Sequence, residues 1–151
     1  MIVYRISNPA YSNDLSGTGA KMYGARWNSK GIPMLYTTEH ISLALLEMLV
    51  HTHLNDFSIP LELIYIHLPD NYSIQEVQLS KLKANWISDI EYSRFIGDEF
   101  IKSRKHLALQ IPSAVIQEEY NYLINPVHPD VKKIKINEIK SFRPDKRLFS
   151  I

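Results

Sequence analysis

Cysteine is absent from the 151 residues, so disulfides, thiolate nucleophiles and cysteine-ligated zinc are all excluded. An excess of either charge is missing too. Seventeen basic against sixteen acidic side chains leave a net +1, which gives no broad attraction to nucleic-acid phosphates. No apolar run approaches the length of a membrane span. The start, MIVYRISNPAYSND, has no basic region leading into an apolar one. Neither membrane insertion nor secretion is expected, and the chain reads as cytoplasmic. Glycine is scarce at five, yet Gly17, Gly19, Gly24 and Gly31 crowd into one stretch. The six histidines form no HExxH pattern, and His51 and His53, two apart, point to different sides of a helix. No metal is expected.

What is present is an ordinary globular composition, 45% hydrophobic and 22% charged, with no low-complexity tract. Ile2 to Ile6 reads as a short strand before a turn at Ser7-Asn8-Pro9. Ala10 to Lys30 reads as irregular, and Ile32 to Tyr36 as a second strand. Thr37 or Thr38 then caps a helix running to about His53, with Glu39 in its first turn. Leu61 to Leu68 is a strand, and Ser73 to Lys83 is ambiguous, reading as a strand and a short turn of helix. A helix is expected from about Ser88 to Lys105, with Gly97 arguing against an unbroken one. Leu107 to Ile111 is a strand. Residues 119 to 130 turn sharply around Pro126 and Pro129. Val131 to Ile136, VKKIKI, reads as an edge strand with its lysines in water, and the segment after Lys140 as a final short strand. Several short strands with two main helices predict a compact α+β fold of mixed small sheets, one domain over residues 1–151.

The chemistry gathers in residues 24 to 50, GARWNSKGIPMLYTTEHISLALLEMLV. The helix from Ile41 to Val50 is apolar on both faces and reads as core, except for Glu47. A buried carboxylate is costly unless it is paired or faces a wet cavity, and Arg26 is the candidate to share that cavity. The Arg26 guanidinium offers a rigid fork suited to phosphate or carboxylate, with a structural ion pair as its plain alternative. Arg5 is a second such cation. Trp27 is expected in the core, and Tyr36 either donates from its phenol, stacks, or is merely half-buried. The glycine-rich GTGAKMYGAR matches neither GxGxxG nor GxxxxGK[ST], leaving a ligand rim or a plain surface loop. Ser113 has no G-x-S-x-G elbow around it, but its hydroxyl suits a ligand phosphate or ribose. Asn125 caps its own turn before Pro126, and His128 either enters a pocket or braces its loop.

Together these segments resemble the RES domain family, named for arginine, glutamate and serine. The resemblance runs through YRI, SGTGAKMYGARWNSKGIPMLYTTEHISLALLEMLVH, IPSAV and EEYNYLINPVHPD. It places the family arginine at Arg26, the glutamate at Glu47, the serine at Ser113 and the pocket tyrosine at Tyr36. Arg5 and Asn125 fall on further recurrent positions and are counted with the residues expected to bind NAD. Two departures are Ala25, where relatives commonly carry glycine, and Thr38, where many carry alanine. The resemblance implies an ADP-ribosyltransferase-like fold and a toxin that consumes NAD as its substrate. It also implies neutralisation by a helix-turn-helix (Xre-type) antitoxin and a homodimer within that complex, with no nucleic-acid contact by this chain.

The implied mechanism has Arg26 and Arg5 on the pyrophosphate, Tyr36 at the nicotinamide and Ser113 at the ribose or phosphates. Glu47 stabilises the cation forming at the ribosyl C1, and water or phosphate takes up the ADP-ribosyl group. One alternative is a mono-ADP-ribosyltransferase with a specific protein target. Another is a nonenzymatic RNA-binding module using Arg26, Trp27 and Tyr36, against which the lone helical acid and the neutral charge both argue.

Overall fold

The structure is a computed structural model and describes residues 1–51 and 59–149. Strands β1 (Ile2–Ser7), β2 (Leu35–Thr38), β3 (Leu61–His67), β4 (Ile74–Glu76), β5 (Ala108–Pro112), β6 (Tyr120–Ile124) and β7 (Lys135–Phe142) form a single sheet. Their order is β4-β5-β6-β2-β1-β3-β7, antiparallel throughout except for the β4–β5 pair. Among the described residues three α-helices accompany it: α1 (Thr18–Tyr23), α2 (Ile41–His51) and α3 (Ile90–Ser103). The expected α+β class is right, with one continuous sheet in place of several small ones.

Successive residues of a strand point to opposite faces, and both faces of the sheet's centre are covered. On β6, Tyr122 and Ile124 join Val3, Leu35, Ile64 and Ile66 in one core. Leu123 joins Trp27, Met34, Trp86, Phe100, Leu109 and Ile111 in the other. Burial on both sides removes the apolar–polar alternation that marks a half-exposed strand. For that reason Tyr120–Ile124 carries no strand signal in the sequence; the turn expected over residues 119–130 begins only at Asn125.

Other expectations are corrected. The region from Ala10 to Lys30 is not wholly irregular, because α1 occupies Thr18–Tyr23. The second strand lies later than read, at Leu35–Thr38. Neither threonine caps α2: Thr37 Oγ1 donates to the Tyr122 carbonyl and Thr38 Oγ1 to that of His40, each at 2.6–2.7 Å. Glu39 precedes the helix and accepts the Tyr120 amide. Helix α2 is not a core helix. Among the described residues it packs mainly on β1 and β2, so Leu43 and Ala44 are buried while Val50 is 63% exposed. The end expected near His53 falls outside the described residues. Helix α3 runs unbroken through Gly97, with the Asp89 carboxylate accepting the Tyr92 amide at its start. Near the C-terminus, Pro129–Lys133 is a 3-10 turn and β7 follows it as a lysine-bearing edge strand that reaches past Lys140. Its last residues absorb the separate strand expected there, and Lys146–Phe149 form another 3-10 turn.

Candidate functional site

A cleft of about 660 Å³ opens where α2, β1, β2, the 24–27 loop and the start of α3 meet. Arg5, Arg26, Tyr36, Glu47, His51, Arg94 and Asn121 line it. Three arginines therefore line a cavity whose acidic lining residue is Glu47, a setting that suits a bound polyanion with one carboxylate set apart.

Each side chain arrives by a definite route. Gly24, at φ +70°, turns the chain after α1 into the short bridge between Ala25 and Asn28. Arg94 Nε donates to the Ala25 carbonyl at 2.8 Å, fastening that loop to α3. One turn further along the helix, Asp98 accepts from the Ser29 amide and hydroxyl at 2.9 and 2.6 Å. Ala25 does not have a positive φ, so the methyl that replaces the usual glycine introduces no backbone strain there. Arg26 Nη1 donates to the Ile87 carbonyl at 2.7 Å, and its guanidinium lies 5.9 Å from the Trp86 ring centre. Arg26 and Glu47 thus share the cleft without pairing directly.

Arg5 Nη1 donates to the carbonyls of Tyr11 and Asp14 at 3.2 and 3.1 Å. Burial pulls its pKa below the ordinary arginine value, the nearby Asp14 opposing the shift. It remains a cation at neutral pH.

The Tyr36 hydroxyl donates to Asn28 Oδ1 at 2.7 Å and accepts from the Trp27 amide at 3.1 Å. Burial raises its pKa above the usual phenol range, although the Trp27 bond works the other way. The single hydroxyl proton is already committed, which leaves the ring as the part available for stacking and makes the phenol a brace for the arginine loop. Tyr36→Phe is expected to cost about 2 kcal/mol in a urea titration, because it strands the Trp27 N–H and the Asn28 carbonyl oxygen.

Glu47 is the most constrained group. Its Oε1 accepts from Ser113 Oγ and from Asn121 Nδ2, both at 2.7 Å. Its Oε2 lies 3.5 Å from Nε2 of His51, one turn on along α2. Ser113 is fully buried, accepts the amides of Val115 and Ile116 at 3.0 and 3.1 Å, and stands behind Glu47 instead of lining the cleft. Its expected contact with ribose or phosphate gives way to a contact with the carboxylate. Asn125 is also fully buried and outside the cleft, bonded to the Ile101 carbonyl and the Val127 amide. It holds its own turn, the plainer of its two expected roles. His128 does likewise, its Nδ1 accepting the Asp130 amide.

Arg94 and Asn121 escaped the sequence reading. Arg94 had a signal: with Ile90 and Asp98 it marks one helical face at spacings of four, carrying two charges on the side that turns inward. Asn121 had none while its strand was read as a turn. Glu39, His40 and Glu119 form the one carboxylate–imidazole group among the described residues with donor atoms close enough for a metal, and none of them lines the cleft.

An α+β sheet with three arginines and one doubly bonded glutamate lining a cleft defines a class of small domains whose site chemistry suits an anionic ligand. The RES domain family model matches residues 2–146, and the chain belongs to that family. A relative called Toxin Res, from Pseudomonas putida, is 39% identical over 99% of this chain and 100% of its own length. The Prs ADP-ribosylating toxin of a Sphingobium species is 36% identical over 91% of this chain and 88% of its own. Among solved structures, the Mycobacterium tuberculosis MbcT–MbcA toxin–antitoxin complex contains a chain of the same fold. The match has a TM-score of 0.78 at 16% identity and covers 99% of this chain and 86% of that one.

Proposed function

We propose that this chain, acting as one domain, is the toxin of a toxin–antitoxin pair and consumes NAD by breaking its nicotinamide–ribose bond. The observation that carries the proposal is Glu47: one carboxylate, fixed at Oε1 by two donors, in a cleft otherwise lined by Arg5, Arg26 and Arg94. The arginines suit a pyrophosphate, to which they offer fork-shaped, permanently charged donors. The Tyr36 ring offers a surface for the pyridinium ring. Glu47 is left to interact with the ribose hydroxyls and with the charge that develops at C1.

Nicotinamide in NAD is already a cationic leaving group. When the C1–N bond breaks, its electron pair goes to the ring nitrogen and the positive charge moves to the ribosyl carbon. No acid is needed for departure; the demand is for negative charge close to C1, supplied by an oriented carboxylate. Attack by water oxygen then gives ADP-ribose and releases one proton. Phosphate as acceptor gives the 1-phosphate of ADP-ribose instead.

A second outcome is transfer to a protein side chain, favoured by the name of the Sphingobium relative, which is an ADP-ribosylating toxin. The partner in either case is a cognate antitoxin, of Xre type and bound to a homodimer of this chain on the family resemblance, in the cytoplasm. Among the described residues no helix is long and apolar enough to cross a membrane. Purified protein mixed with NAD is expected to release nicotinamide, followed by chromatography, and addition of the antitoxin is expected to stop it. Free ADP-ribose, its 1-phosphate, or a discrete labelled band from radiolabelled NAD and cell extract identifies the acceptor. Absence of nicotinamide release in water, with added phosphate and with cell extract, the antitoxin left out, would defeat the proposal.

A further inference from the structure

We infer that Asn121 is the positioning residue that sets the plane of the Glu47 carboxylate, an inference resting on the NAD-cleaving role proposed above. Asn121 sits on β6 between Thr38 of β2 and Ile111 of β5, in the floor of the cleft, and is 7% exposed. Its two amide ends are treated unequally. Nδ2 donates to Glu47 Oε1 at 2.7 Å, whereas Oδ1 is buried and receives no hydrogen bond among the described residues. The orientation follows from chemistry: an ionised carboxylate only accepts, so the amide nitrogen faces it and the carbonyl oxygen is left over.

A buried acceptor without a donor is unfavourable, and an apolar side chain of the same size would avoid it. Packing therefore does not account for an asparagine here. What the amide uniquely adds is a second donor to an oxygen already held by Ser113. The Ser113 hydroxyl is itself aimed, since Val115 and Ile116 amides occupy its acceptor side and direct its proton to Glu47. One donor leaves the carboxylate free to swing about that bond. Two donors from different places, β6 and the residue that follows β5, fix its plane and hence where Oε2 lies.

The position of Oε2 matters most when charge appears at C1, and less for holding the dinucleotide, which falls to the arginines. Asn121 should therefore act on kcat and leave KM nearly untouched. A residue with a merely structural role would instead lower the melting temperature when replaced.

The test uses the full chain with NAD as substrate. Asn121→Leu removes the donor and the orphaned oxygen together; it is expected to keep a melting temperature close to wild type and a KM within about twofold, with kcat down roughly 10- to 100-fold. Asn121→Asp keeps the shape but turns an oxygen toward Glu47, and its kcat should fall at least as far. Wild-type kcat in Asn121→Leu would overturn the inference, as would a large loss of melting temperature with kcat and KM moving together. Wild-type protein that releases no nicotinamide would instead defeat the NAD-cleaving role. A crystal structure of Asn121→Leu then decides the matter: a rotated Glu47 carboxylate supports positioning, and an unmoved one overturns it.

Discussion

Glu47→Gln is expected to lower nicotinamide release by roughly 10²- to 10³-fold while the protein stays folded, the scale seen when one group stabilising transition-state charge is removed. Folding should survive because glutamine can turn its carbonyl oxygen to the two donors, Ser113 Oγ and Asn121 Nδ2, that now hold Oε1. Both bonds weaken on losing the charge, at about 1 to 2 kcal/mol in all. What cannot survive is the negative charge beside C1. In its place the amide offers an N–H₂ group, which repels a forming cation. Affinity for NAD should change little, since Arg5, Arg26 and Arg94 are untouched, so the loss should appear in kcat. Turnover at the wild-type rate by a folded Glu47→Gln protein would remove Glu47 from the chemistry.

Gly97→Ala is the substitution with the largest expected effect on stability. A β-carbon at Gly97 would lie 1.6 Å from the Trp27 carbonyl oxygen and 2.7 Å from the carbonyl carbon. The obstacle is backbone, with no flexible side chain to move aside. Either α3 lifts off the 24–30 loop or the loop is pushed away. Both break the Arg94–Ala25 and Asp98–Ser29 bonds that join them. A loss of about 3 kcal/mol or more is expected, a fall in melting temperature of roughly 6 to 12 °C for a chain of this length. Activity should fall with it, because the displaced segment carries Arg26. Gly19 provides the control: its β-carbon would meet nothing within 4 Å, so Gly19→Ala should leave stability nearly unchanged or slightly improved. Equal melting temperatures for the Gly97 and Gly19 variants would contradict the close approach of α3 to Trp27.

Both substitutions bear on what was legible beforehand. Gly97 appeared in the sequence only as a helix weakener, since propensity is a local quantity. Its use is a contact between residues seventy positions apart, between α3 and the arginine loop. Glu47 was visible at once, because an acid in an apolar helix conflicts with its surroundings and conflict marks a site. Its helix was nevertheless misjudged as core: apolar residues on every face indicate burial only if something covers every face, and β1 and β2 lie on one side of α2. Tyr36 and Ser113 were found as residues, but their bonding was not. A hydroxyl announces a hydrogen bond without naming its partner, and here the partners are Asn28 with Trp27 in one case and Glu47 in the other.

By itself the sequence determined the class of fold, the absence of cysteine chemistry and the choice of Arg26 and Glu47 as candidates to share one cleft. These depend on residue type and short-range order, which are written along the chain. Tertiary structure alone decided that Arg94 joins the cleft, that Asn125 and His128 stay out of it, and that Ser113 and Asn121 meet on one oxygen of Glu47. Those outcomes follow from the order in which seven strands lie side by side and from the packing of α3 on the arginine loop. Both are set by burial on the two faces of the sheet together, a sum over the whole chain that no single segment contains.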